Sequence, residues 1–395
     1  MTVKTLPIHE IEKLGYTIRE FQDLGVFPET LREHPLQVVS GKFIVNGKTI
    51  LQGIEVKIKP GTTLVMDLMD FILLWNGSKG QAITGTKLLK DNYSPYYDID
   101  TDLTNKRLLL WSFGCGFGDL LFMQTILRSI KDRYPTSIIT WALPQIYHSF
   151  VRSFNVTNKI ISTPFDIKYI LENDYHLHFD GLISSFESGK TVNCYELMAN
   201  SINLEIPKPP VIEPNKQSIR YIKDKLIKDF IILHLQTSTP MRNPREEFKL
   251  DILNRLLSIG FNVGFVDSSV QKMEINNLIS KSINPNNCYN FAGITRDMND
   301  VAVILNMAKL VVSVDTSIIH IATAVGTPIY GLYGPFPGRI RLATYNNCKW
   351  VDGVCDISPC CLHQQELCHK AENGHPICYD NIDLDKVIIK IKTLI

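Results

Sequence analysis

No stretch of the chain reaches the roughly 18 to 20 apolar residues that a membrane-crossing helix needs. The N-terminal MTVKTLPIHEIEKLGYTIREFQDLG has neither the unbroken apolar centre nor the small-residue cleavage site of a signal peptide. A cytoplasmic protein without a transmembrane segment is therefore expected, and the sequons at Asn76, Asn92 and Asn155 carry little meaning, since they matter only in secreted chains. Neither sign of charge is in excess: 41 Lys and Arg stand against 40 Asp and Glu, a net +1. With no block of like charge, nucleic acid is not an expected partner, and any affinity for a polyanion must be local. Low-complexity tracts and short-period repeats are also missing, which excludes fibres and repeat arrays.

What is present is enough apolar chain, over 395 residues, for two or three cores. LQVVSGKFIVNGKTILQGIEVKIKPGTTLVMDL consists of short β-branched runs separated by Ser-Gly, Asn-Gly, Gln-Gly and Pro-Gly, the punctuation of hairpins. Residues 1–105 are thus expected to form a β-rich accessory domain with a helical lead-in. From Lys106 the texture becomes α/β. LLLW (108–111), SIITWAL (137–143), KIIST (159–163) and GLIS (181–184) read as buried strands; after the proline-rich EIPKPPVIEPNK the pattern restarts with DFIILHL, NVGFVD, LVVSVD and PIYGLYG. Two α/β halves, 106–216 and 217–395, are predicted.

Between LLLW and the first predicted helix lies WSFGCGFGDLL, in which Gly114, Gly116 and Gly118 precede Asp119. It lacks the third glycine of G-x-G-x-x-G and no suitably placed acid follows a second strand, so a Rossmann oxidoreductase is disfavoured; with no Gly-Lys-Ser/Thr, a P-loop nucleotidase is excluded. The glycines let backbone approach a ligand closely. Cys115 between them reads as a small buried filler rather than a nucleophile.

The most specific stretch is AKLVVSVDTSIIHIATAVGTPIYGLYGPF (308–336): a strand ending in Asp315-Thr316-Ser317, a helix with His320 one turn in, then Gly326-Thr327-Pro328 and another strand. It resembles the donor-binding signature of the family 9 glycosyltransferases, the ADP-heptose heptosyltransferases. NFAGITRDMNDVAVILNMAKL (290–310) and GFGDLLFMQTILRSIKDRYPTSIITW (116–141) resemble two further segments of that family, in the same order. The resemblance covers roughly 106–395. The N-terminal addition is similar to one carried by some autotransporter-modifying heptosyltransferases.

The resemblance implies a GT-B fold, two Rossmann-like domains facing a cleft, here with the extra N-terminal β-rich domain. It implies ADP-L-glycero-β-D-manno-heptose as donor, held mainly by the C-terminal half and transferred with inversion and no catalytic metal. Asp119 corresponds to the family's catalytic aspartate, the base that takes the acceptor's proton, while Gly116 and Gly118 make room for sugar and acceptor; an acid in a helix's first turn is equally a dipole-stabilising feature. Asp315, Thr316 and Ser317 would hold the donor at a helix N-terminus, where backbone N–H groups favour a diphosphate, although the same residues serve as helix caps. His320 is a donor-site residue on the same grounds, or a structural histidine. Arg242, in HLQTSTPMRNPREEFKL, stands where the family presents a basic residue to the leaving diphosphate; a solvated surface arginine is the alternative.

Six of nine cysteines fall in the last fifth of the chain. VCDISPCCLHQQELCHKAENGHPICYDNI resembles the family's cysteine-bearing tail, and four of Cys355, Cys360, Cys361, Cys368 and Cys378 are candidates for a structural iron or zinc site, with His363, His369 and His375 as substitutes. Free reduced thiols or a redox-sensitive disulfide are the competing readings. The function predicted is an inverting glycosyltransferase moving heptose from ADP-heptose to a protein side-chain hydroxyl or a lipopolysaccharide-type acceptor, able to work as a homo-oligomer. The rival is a catalytically inactive GT-B module that binds sugar nucleotide or scaffolds an assembly.

Overall fold

The structure, a computed structural model, describes residues 38–43, 47–51, 54–58, 63–67, 83–88, 101–112, 116–179, 208–239, 242–358, 360, 370 and 374–395. Two parallel sheets dominate it. In the first, β6 (Arg107–Trp111), β7 (Ile138–Leu143), β8 (Lys159–Ser162) and β10 (Tyr175–His178) lie in the order β10-β6-β7-β8. In the second, β11 (Phe230–His234), β12 (Asn262–Phe265), β13 (Cys288–Asn290), β14 (Val311–Val314), β15 (Ile329–Tyr333) and β16 (Cys348–Asp352) lie in the order β13-β12-β11-β14-β15-β16. Every pairing within them is parallel. The central strands are fully buried, as continuous apolar runs require when helices cover both faces of a sheet.

Five further strands precede these sheets: β1 (Val38–Phe43), β2 (Gly47–Leu51), β3 (Ile54–Ile58), β4 (Thr63–Asp67) and β5 (Ile83–Leu88). β2 and β3 form an antiparallel ribbon. The others make the sheet β5-β1-β4-β9, whose last member, β9 (Phe165–Asp166), belongs to the first α/β half. Val65 enters that half's core beside Leu109, Trp111, Ala142, Phe165 and Ile170, so this antiparallel sheet is anchored to the parallel one through shared apolar packing. The expected strand at 181–184, the helical lead-in and residues 113–115 lie outside the described residues.

Helix α1 (Phe117–Arg133) follows β6. Its sequence predicts one apolar face through Leu120, Met123, Leu127 and Ile130, yet every residue from Leu120 to Leu127 is buried. The cause is tertiary: one side packs on its own sheet, the other on α8 (Ser317–Ala324) of the second half. A single apolar cluster runs from Leu120, Phe122 and Ile126 to Ile318, Ile319 and Ile321. The connection between halves is fastened to both helices. Gln124 pairs with both backbone groups of Val211, Arg128 donates to Pro209 O at 2.9 Å, and Ile212 N–H donates to Ala324 O at 2.8 Å. At the end of α8, Gly326 adopts φ 82°, a conformation that side chains disfavour, and turns the chain into β15.

Candidate active site

The site forms where α1 and α8 present their N-termini to each other. Each helix starts at the carboxyl end of a parallel strand, the edge where open α/β sheets bind ligands. The approach is close: a Cβ built on Gly118 would stand 3.0 Å from His320 Cδ2 and 3.7 Å from Ser317 Cα. Glycine at 118 is therefore a steric requirement of this contact.

Next to it, Asp119 occupies the third position of α1, and its Oδ2 accepts the Gly116 N–H at 2.7 Å. The carboxylate thus closes the helix start and remains partly exposed at the mouth of the cleft. On the facing helix, Thr316 is the N-cap; its Oγ1 accepts the Ile318 N–H at 3.2 Å and lies 3.3 Å from Ser313 Oγ. Capping and ligand binding do not exclude each other here, since a capped N-terminus still directs backbone N–H groups outward.

His320 is buried, with its Nδ1 2.6 Å from Tyr345 Oη and its ring edge-on to Phe122 at a centroid distance of 4.9 Å. Burial brings its pKa down to about 4, opposed by the charge of Asp315 and assisted by that of Arg341. At neutral pH it is an uncharged imidazole that offers hydrogen bonds rather than a fixed positive charge.

Arg242 is not a solvated side chain. Only 17% exposed, it donates from Nη1 to Asp315 O at 3.1 Å and lies 3.5 Å from Asp315 Oδ2, while Nε donates to Thr239 Oγ1 at 3.2 Å. The buried Tyr379 hydroxyl holds it from behind by donating to Arg242 O at 3.1 Å. Asp315 also faces Arg341 Nε at 3.7 Å. The structure therefore gathers Arg242, Asp315, Thr316, Ser317 and His320 on one rim, and Gly116, Gly118 and Asp119 on the other.

Sequence reasoning missed Arg341 and Tyr345, which follow the matched signature in a stretch without periodicity. It also missed a cavity of about 60 Å³ at the carboxyl ends of β11 and β12, bordered by His234, Gln236, Lys249, Asp267 and Glu274. The available signal there was Asp267, an acid closing the second strand of a Rossmann-like half.

The tail is only partly described. Cys378 is buried and Cys355 half-buried in the same apolar cluster, and Cys360 is half-buried. Cys361 and Cys368, with His363 and His369, lie outside the described residues. His375 has its Nδ1 3.1 Å from Asn243 O. Among the described residues no three His, Cys, Asp or Glu side chains meet as a metal-holding group.

No curated protein matches the sequence. The profile of glycosyltransferase family 9 (heptosyltransferase) matches residues 192–366. Among solved structures, ADP-heptose LPS heptosyltransferase II of E. coli superposes with a TM-score of 0.57 at 14% identity, covering 73% of this chain and 98% of that one. A family 9 glycosyl transferase from Veillonella parvula gives 0.58 at 13% identity, covering 74% and 98%. Dodecameric iron-containing heptosyltransferase TibC, from enterotoxigenic E. coli, in complex with ADP-D-beta-D-heptose, gives 0.53 at 12% identity and covers 91% of each chain. These identities establish a shared fold of two parallel-sheet α/β halves. The likeness to family 9 glycosyltransferases in sequence is carried by the profile match over residues 192–366.

Proposed function

We propose that the protein is an inverting glycosyltransferase that moves heptose from ADP-heptose to a hydroxyl of a macromolecular acceptor, with Asp119 as general base. The observation that carries this reading is the meeting of two helix N-termini at Gly118, Ser317 and His320. One supplies a carboxylate and the other an environment for a diphosphate.

In the single displacement, the acceptor oxygen gives its proton to the Asp119 carboxylate while it bonds to the anomeric carbon. The bond from that carbon to the phosphate oxygen breaks, and ADP leaves with the electron pair. Negative charge grows on the diphosphate, where Arg242 and the N–H groups at the start of α8 stabilise it. His320, neutral at neutral pH, adds a hydrogen bond, and Asp267, at the end of the second strand of its half, is the candidate acid for a ribose hydroxyl. The antiparallel strands anchored through Val65, an addition similar to that of autotransporter-modifying heptosyltransferases, favour a protein as acceptor over a lipopolysaccharide core. Analogy with TibC supports a homo-oligomer and a structural iron or zinc held by four of Cys355, Cys360, Cys361, Cys368 and Cys378, which would fix the tail rather than take part in the transfer.

The test is ligand-induced thermal stabilisation across a panel of nucleotide sugars. ADP-linked sugars are expected to raise the melting temperature and UDP- and GDP-linked ones to leave it unchanged; a shift with UDP-sugars alone contradicts the donor assignment.

A further inference from the structure

Two kinds of arginine–aspartate contact occur in the second half, and they differ in geometry. Arg296 grips the buried Asp300 at two points, Nε to Oδ2 and Nη2 to Oδ1, both at 2.8 Å. That is the parallel fork of a structural pair. Asp315, equally buried, is instead shared between one nitrogen of Arg242 at 3.5 Å and one of Arg341 at 3.7 Å. Two guanidiniums from different segments thus converge on one carboxylate.

Arg341 belongs to α9 (Arg339–Leu342), after β15, and is only 13% exposed. Its loop is fixed in place. Gly338 donates its N–H to Asp352 Oδ1 at 2.6 Å and lies so close under Trp350 that a Cβ would fall 2.4 Å from the ring. Phe336 and Ile340 bury each other, and the Arg341 guanidinium sits 5.0 Å from the centre of the Phe336 ring. A guanidinium so held loses little freedom when an anion arrives.

From this geometry we propose that Arg341 is a second guanidinium of the diphosphate site and that Asp315 is the internal counter-ion which the diphosphate displaces. The inference rests on the donor reading above and assigns a residue that the family signature does not contain. Two guanidiniums and one carboxylate beside the start of α8 carry a positive excess that suits a nucleoside diphosphate. Arg242 keeps its place during the exchange, because its Nη1 also donates to the Asp315 backbone carbonyl.

The test is calorimetric titration of the full chain with ADP and with adenosine, for wild type, Arg341→Gln and Arg341→Lys. Arg341→Gln is expected to weaken ADP about tenfold or more while adenosine changes by less than about twofold, because the lost contact is charge-assisted and confined to phosphate. A smaller loss for ADP, or an equal loss for adenosine, overturns the proposal. If the glutamine variant does not fold, Arg341→Lys decides: its point charge cannot reproduce the planar fork, so ADP is expected to bind at least about threefold more weakly with adenosine unchanged, and undiminished ADP binding overturns the proposal. Wild-type protein that ignores ADP altogether sinks the donor reading itself, an outcome distinct from a variant that binds as wild type does.

Discussion

His320 and Gly118 come from different halves of the chain and touch at the cleft, the imidazole edge lying where a side chain at 118 would have to go. Tyr345 Oη, 2.6 Å from Nδ1, and Phe122, edge-on, keep the ring from yielding. Gly118→Ala therefore overpacks the junction. It is expected to lower stability by about 1–3 kcal/mol and to weaken donor binding as α1 and α8 are pushed apart. Denaturant unfolding with and without ADP measures both effects; an alanine variant as stable as wild type contradicts the contact.

The same histidine predicts a pH dependence. Its folded pKa is about 4 and its unfolded pKa is the ordinary 6.5. As pH falls from about 6.5 to 4, the unfolded chain takes up a proton that the folded chain refuses, so stability drops over that window and is unaffected above pH 7. The size is roughly 3 kcal/mol. His234, whose pKa is lowered chiefly by burial, acts in the same direction, so the contribution of His320 is read as the difference between wild type and His320→Gln. Identical acid profiles for the two contradict the assignment.

Much of this architecture could be read from residue order. The central strands appear as unbroken apolar runs because both of their faces are covered. β10, β13 and β16 were not legible: they are short sheet edges, and YHLH, CYN and CKWVD break their apolar residues with polar ones, leaving no continuous apolar run. The all-round burial of α1 was hidden for a different reason, since its second apolar side exists to meet α8, about 200 residues later in the chain. In the site, Asp119 and Asp315-Thr316-Ser317 could be named because they sit in a motif. Arg341 could not, because only folding brings its loop back to Asp315.

The cysteines separate by environment. Cys348, buried against Thr323, has its thiol pushed up to about 12 by burial, so it stays protonated and is expected to resist iodoacetamide in the native protein at pH 8. The tail reading predicts stoichiometric iron or zinc in the purified protein, lowered in Cys378→Ser and Cys355→Ser. Elemental analysis without stoichiometric metal contradicts it, and native-state labelling of Cys348 contradicts the burial argument.

The central claim is that the Asp119 carboxylate removes the acceptor's proton. Asp119→Asn tests it most directly, because an asparagine oxygen can still accept the Gly116 N–H and so preserve the helix start. The measurement is the rate of labelled heptose transfer from saturating ADP-heptose into macromolecular acceptor, alongside ADP affinity. The account predicts a fall in kcat of about 100-fold or more with ADP affinity unchanged. A variant that transfers heptose at close to the wild-type rate contradicts it.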